Sequence, residues 1–223
     1  MNLPTLSLLE TRVLGVLVEK EHTVPDIYPL SLNALTAGCN QKNNRDPVLS
    51  ATEAEVQAAI DRLKPLSFVI ESSGSRVMRY SQNVGRVLRV PSESVALLAT
   101  LWLRGPQTAA ELRSASERLH RFADVSSVEG YLDQLATRAA EAGGALVTLL
   151  ARAPGAREPR WAQLLSPTPP TLPAPVMAST SAGNSADVGI PAAADELRAE
   201  IARLRDEMQE LRARVERLEG GAV

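Results

Sequence analysis

Seven consecutive side chains able to hydrogen-bond, Asn40-Gln41-Lys42-Asn43-Asn44-Arg45-Asp46, sit between two apolar, helix-like stretches. Asparagine, glutamine and arginine suit paired hydrogen bonds to base edges, and lysine suits phosphate contact. Gln57 and Arg62 follow on an amphipathic stretch, and Arg76 and Arg79 on a β-prone one. Gln41, Lys42, Asn43, Asn44, Arg45, Gln57, Arg62, Arg76 and Arg79 are therefore the residues equipped to touch double-stranded DNA. A competing use is local. Asn43, Asn44 and Asp46 would cap the flanking helices, and Arg45 would pair with a carboxylate.

Other chemistries are poorly supplied. With two histidines, His22 and His120, and one cysteine, Cys39, the chain offers no Cys/His cluster for zinc and no internal disulfide. No nucleophile and base stand at catalytic spacing and no phosphate-cradling glycine loop occurs, so the expectation is a non-enzyme without cofactor or metal. Small apolar neighbours make Cys39 a buried helix residue. No run of about 18 apolar residues and no signal-like N-terminus is present, which predicts a cytoplasmic protein away from membranes. Residues 1–90 carry a net charge of +1, 91–165 of 0, 166–192 of −1 and 193–223 of −2. None is the strongly basic body of a protein held mainly by phosphates.

The elements that must position these residues follow from spacing. Leu6, Leu9, Val13, Leu14, Leu17 and Val18 recur at helical intervals, and Pro25 ends that helix. A second helix starts at Ser31 and runs toward Cys39. Thr52-Glu53-Ala54-Glu55 is a capping box opening a third, lined by Val56, Ala59, Ile60 and Leu63 and closed by Pro65. Phe68–Glu71 and Arg76–Tyr80 then flank a Ser/Gly turn as a hairpin. Three helices and a hairpin make a winged helix-turn-helix.

The second half repeats the order. Val95, Leu98, Leu101 and Trp102 mark a helix broken at Gly105-Pro106, and Thr108-Ala109-Ala110-Glu111 is another capping box. Val128, Leu132 and Leu135 stand 72 residues after Val56, Ile60 and Leu63, on a helix starting at Asp124 or Ser126. Leu146–Leu150 and Arg160–Leu165 form a second hairpin. Arg76, Arg79, Tyr80 and Gln82 recur 81 residues later as Arg157, Arg160, Trp161 and Gln163. The expected architecture is mainly α with small β-hairpins, in tandem winged helix-turn-helix domains over 1–90 and 91–165.

Residues 166–192 are rich in Pro, Ala and Ser and predict a disordered linker with a flexible reach of roughly 30 Å. Over 193–219, Leu197, Ile201, Leu204, Met208, Leu211, Val215 and Leu218 alternate spacings of four and three, the repeat of a coiled coil. With leucine at every d position, the flanking pairs Glu200/Arg205, Glu207/Arg212 and Arg214/Glu219 are all opposite in sign, which predicts a parallel homodimer.

The runs YPLSLNALTAGCNQKNNRDPV, LRGPQTAAELR and ERLHRFADV, within Leu6 to Leu165, resemble the YceH-like family of bacterial proteins. That resemblance implies a tandem winged-helix fold and carries no activity with it.

In a DNA-reading winged helix the third helix enters the major groove. Here its solvent face would offer Glu53, Gln57, Asp61, Arg62 and Lys64, with an acidic first turn poorly suited to phosphates. The polar loop and the repeated hairpin arginines favour a dimeric DNA-binding regulator, and dimer plus winged helix is a common regulator design. Near-neutral charge favours the alternative, an adaptor using winged helices for protein contacts, as in subunits of chromosome-condensing complexes. The second copy's loop, Glu117–Asp124, carries Leu119 and Phe122 where the first is polar, which suits packing or a protein partner.

Overall fold

The computed structural model describes residues 5–73, 77–152 and 154–167. Arg76, the heptad segment and the expected linker from residue 168 onward lie outside the described residues.

Helix α1 (Leu8–Thr23) opens on a reciprocal Ser7/Glu10 capping box. From Glu10 to Val18 it is buried on every side. Helix α5 (Ser92–Arg104), which starts the second half, is likewise buried from Ser94 to Leu103. The two pack against each other, so each serves its own half and the other, and an apolar stripe on one side would not suffice. Gly15 permits the approach: a Cβ there would lie 2.9 Å from Leu103 Cδ2 and 3.3 Å from the Ala99 carbonyl.

Around α1 the first half adds strand β1 (Leu30–Ser31), α2 (Leu32–Cys39), α3 (Glu53–Leu63), β2 (Val69–Ser72) and β3 (Arg79–Gln82). The strands form an antiparallel sheet in the order β1-β3-β2. Gly38 in α2 lets that helix seat on α1, since a Cβ would meet Val16 Cγ1 at 2.6 Å. A short helix α4 (Val84–Leu88), ending on Arg89 at φ 54°, leads to α5. The second half continues with α6 (Ala109–Ala115), α7 (Val125–Ala136), β4 (Val147–Leu149) and β5 (Trp161–Gln163), the last two paired antiparallel. The architecture is helices with small antiparallel sheets.

The expected caps form at Ser31, Thr52 and Thr108. Asp124 resolves the open start of α7, because its carboxylate accepts from the Ser127 N–H at 2.7 Å. Val56, Ile60 and Leu63 and their counterparts Val128, Leu132 and Leu135 are all buried in one core. Two features differ from expectation. The second hairpin strand begins at Arg79 rather than Arg76, and β1 and α4 are additional. Both additions are too short to produce a periodic signal, and β1 exists only because Leu30 and Ser31 meet Tyr80 and Arg79 across the sheet.

Candidate functional site

The polar loop is built from below by a buried arginine on α1. Arg12, fully buried, donates from Nη1 to the Cys39 carbonyl at 3.2 Å and from Nη2 to the Pro47 carbonyl at 2.7 Å. It thus grips both ends of the loop, and its Nε has no hydrogen-bond partner. Asn40 closes the neck: its Oδ1 accepts from the Ala51 N–H at 2.8 Å and its Nδ2 donates to the Ala51 carbonyl at 2.7 Å.

Arg45 turns inward, 6% exposed. It donates to both carboxylate oxygens of Glu19 at 2.8 and 3.1 Å, to the Gly38 and Asn44 carbonyls, and to Gln41 Oε1. Burial pushes the Glu19 carboxyl up, but hydrogen bonds from Arg45 and Lys20 outweigh it and hold that group below the ordinary carboxylate range. Cys39 is fully buried, which pushes its thiol up to about 12. The Asp46 N–H donates at 2.8 Å to the Leu103 carbonyl, at the end of α5. That bond satisfies one of the carbonyls a helix terminus leaves free, and it ties the loop to the second half.

Seven polar residues therefore divide by use. Asn40, Gln41, Arg45 and the Asp46 backbone hold the loop in place. The side chains of Lys42, Asn43 and Asn44 are exposed and make no hydrogen bond among the described residues. Asn44 adopts φ 59°, a left-handed turn geometry that asparagine tolerates.

The other candidates are engaged elsewhere. Gln57 Oε1 accepts from the Tyr80 hydroxyl at 3.1 Å and its Nε2 donates to Asp61. Arg62, exposed, pairs with the buried Glu10 at 2.8 Å. Arg79 Nη1 donates to the Pro29 carbonyl at 2.8 Å, and Arg160 Nη1 donates in the same way to the Pro106 carbonyl at 2.7 Å. The repeated arginine is a strut under the sheet. Other repeated positions agree: Tyr80 faces Leu30 as Trp161 faces Gln107. Gln82 Oε1 accepts from the Val84 N–H as Gln163 Oε1 does from the Leu165 N–H.

The solvent faces of both third helices are acidic. Helix α3 exposes Glu53, Glu55 and Asp61 beside two cations already paired, Arg62 with Glu10 and Lys64, at the C-terminal cap, with Glu71. Helix α7 exposes Glu129 and Asp133, with Asp124 at its cap, and contains no lysine or arginine. Before α7, Phe122 is 4% exposed and packs edge-on against His120 and Tyr131, so the apolar half of that loop is spent inside the molecule. Beside Asp46 opens a cleft of about 710 Å³ lined by Arg104, Gln107, Glu111 and Arg160. Arg160 and Glu111 pair there at 2.8 Å. No group of three His, Cys, Asp or Glu among the described residues could hold a metal, and no described helix is long and apolar enough to cross a membrane.

Spacing alone did not point to Arg12, Glu10 or Glu19. For Glu10 and Arg12 the available signal was charge inside the mostly apolar stretch from Leu9 to Val18, buried all round; Glu19, just beyond it, had no such signal.

The family described as "Protein of unknown function, DUF480" matches residues 6–156. The chain belongs to the DUF480 family. Within it, a UPF0502 protein of Leptothrix cholodnii is 57% identical over 217 residues, covering 96% of this chain and 93% of that one. A UPF0502 protein of Methylibium petroleiphilum is 65% identical over 167 residues, covering 75% of this chain and 70% of its own length. One from Burkholderia vietnamiensis is 56% identical over 213 residues, covering 96% and 87%. The DUF480 match includes the whole clamped loop and both third helices, and it is consistent with the YceH-like resemblance.

Proposed function

We propose that this DUF480 protein is a non-enzymatic adaptor whose two halves are winged-helix domains used for protein contacts, and whose heptad tail makes it a parallel dimer. The observation carrying this reading is the acidic solvent face of both third helices. A duplex presents about one phosphate charge per 1.7 Å of axis, so a helix showing Glu129 and Asp133 with no cation is repelled where a reading helix must approach. The clamped loop and the Arg79 strut support it further, since cations that could have served DNA are spent on internal carbonyls.

DNA contact is the second reading, favoured by one observation: the exposed, unpartnered tip Lys42-Asn43-Asn44. Binding of mixed genomic DNA across a salt series distinguishes them. The adaptor reading expects no saturable binding at about 150 mM salt, and no difference between the wild type and Lys42→Ala. Salt-steep binding whose slope falls by about one in Lys42→Ala would establish DNA contact instead. For the tail, sedimentation is expected to give a dimer for the full chain and a monomer for a chain truncated after Pro167. Two monomers would end the coiled-coil reading.

A further inference from the structure

The cleft beside Asp46 is walled by polar groups that the fold positions and does not use. Gln107 is 7% exposed. Its backbone is fixed by the bridge to Trp161, the N–H donating to the Trp161 carbonyl at 3.1 Å and the carbonyl accepting from the Trp161 N–H at 2.7 Å. Its side-chain amide is left over. The one contact that amide makes, from Nε2 to the Gly105 carbonyl, is 3.5 Å long, beyond the about 2.7–3.2 Å of an ordinary N–H···O bond. Its Oε1 accepts nothing among the described residues. Side-chain polar groups buried this deeply normally have a partner, so the amide needs one from the cleft that it lines.

Two charges in the same wall are also unspent. Arg104, half-buried at the end of α5, makes no side-chain hydrogen bond or ion pair among the described residues, and neither does the carboxylate of Asp46. Arg160 and Glu111 are taken. Arg160 donates to the Pro106 carbonyl and to Glu111 Oε1, and Glu111 Oε2 accepts from the Thr108 N–H. The lining thus balances Arg104 and Arg160 against Asp46 and Glu111, with one group of each sign free.

That balance selects the ligand. A planar guanidinium takes a carboxylate or a phosphate through forked hydrogen bonds. A doubly charged phosphate is repelled by the two carboxylates of the same cleft, whereas a ligand carboxylate brings a single charge. Asp46 suits an ammonium, and the Gln107 amide, donor at one end and acceptor at the other, matches a peptide group. The volume of about 710 Å³ falls within the roughly 300–1,000 Å³ of small-molecule sites.

We infer that this cleft binds a small zwitterion of the amino-acid or short-peptide class, with its carboxylate on Arg104, its ammonium on Asp46 and its polar atoms between them on Gln107. Asp46 belongs to the loop of the first half, and Arg104 and Gln107 to the second. The occupant therefore spans the seam that the bond from the Asp46 N–H to the Leu103 carbonyl already closes. Such a ligand fixes how firmly the two halves are joined, whatever either half contacts, and so stands apart from the adaptor reading.

Calorimetric titration of the full-length chain with alanine, trialanine and the N-acetylated and C-amidated forms of each gives the test, since trialanine carries every group the site engages. One of the two free compounds is expected to bind saturably with a Kd below about 1 mM, and the tighter of them tells amino acid from peptide. Capping either end is expected to weaken binding at least about tenfold, the loss of one charge-assisted hydrogen bond. Arg104→Gln is expected to bind the free and amidated forms equally while still preferring a free amino end. Asp46→Asn is expected to show the reverse, so each variant reports that the other's loss is not misfolding. Arg104→Lys, which keeps the charge, retains part of the preference. An Arg104 that only complements the C-terminal dipole of α5 would shift the melting temperature and leave that discrimination intact. No saturable binding of either free compound up to about 10 mM, capped forms bound as tightly as free ones, or preferences that survive both substitutions would each overturn the site and leave the adaptor reading standing.

Discussion

Arg12→Ala is expected to lower the unfolding free energy by about 3–5 kcal/mol, a large share of the 5–15 kcal/mol that holds an ordinary domain folded. Two costs add. A fully buried side chain is removed from the middle of α1, leaving a cavity. The Cys39 and Pro47 carbonyls lose their donor, each worth about 1–3 kcal/mol when left unsatisfied. One effect opposes them: a guanidinium buried without a carboxylate on it carries a desolvation cost that the substitution relieves. Arg12→Met isolates this balance, since it keeps much of the volume while removing every donor. If the clamp matters more than the charge, Arg12→Met falls well below the wild type in urea midpoint. Amide exchange between Gln41 and Ser50 then accelerates while α7 stays protected. Arg12→Lys is expected to recover less than half of the loss, because one ammonium cannot match a planar fork spanning two carbonyls. A methionine variant as stable as the wild type would show that the loop needs no clamp.

Glu19→Gln is expected to cost about 3 kcal/mol near neutral pH. Arg45 has a fully buried side chain, and removing one partner of a buried pair typically costs about 3–5 kcal/mol. The lower end applies because Glu19 itself is 16% exposed and solvent screens part of the attraction. The pH dependence separates this ion pair from simple packing. The Glu19 carboxyl is held below its ordinary value of 4.5 in the folded state. Its contribution is therefore fully present above that ordinary value and is lost as pH falls through the folded one. Glu19→Gln has no such contribution to lose, so the stability gap to the wild type narrows as acid is added. A gap that stays constant from about pH 7 to pH 3 would mean that the carboxylate's charge plays no part.

Most elements were legible along the chain because helix periodicity and capping are local; β1 and α4, too short to leave a pattern, were not. Thr52/Glu55, Thr108/Glu111 and Ser31 announce their helices within four residues, and the 72-residue recurrence of Val56, Ile60 and Leu63 marks the duplicated core face. The family was readable too, from runs long enough to be specific. What each polar side chain does was decided only by tertiary structure. Asn43 and Arg45 stand two positions apart with equally suitable chemistry, yet one faces solvent and the other is sealed against Glu19, 26 residues away. Of the repeated hairpin arginines, Arg79 and Arg160 looked like a duplicated surface and are struts to Pro29 and Pro106, 50 and 54 residues distant. The polar run between Asn40 and Asp46 is held by Arg12, on a helix whose pattern spoke only of apolar core. A guanidinium finds carbonyls by distance in space, and spacing along the chain carries no record of that distance.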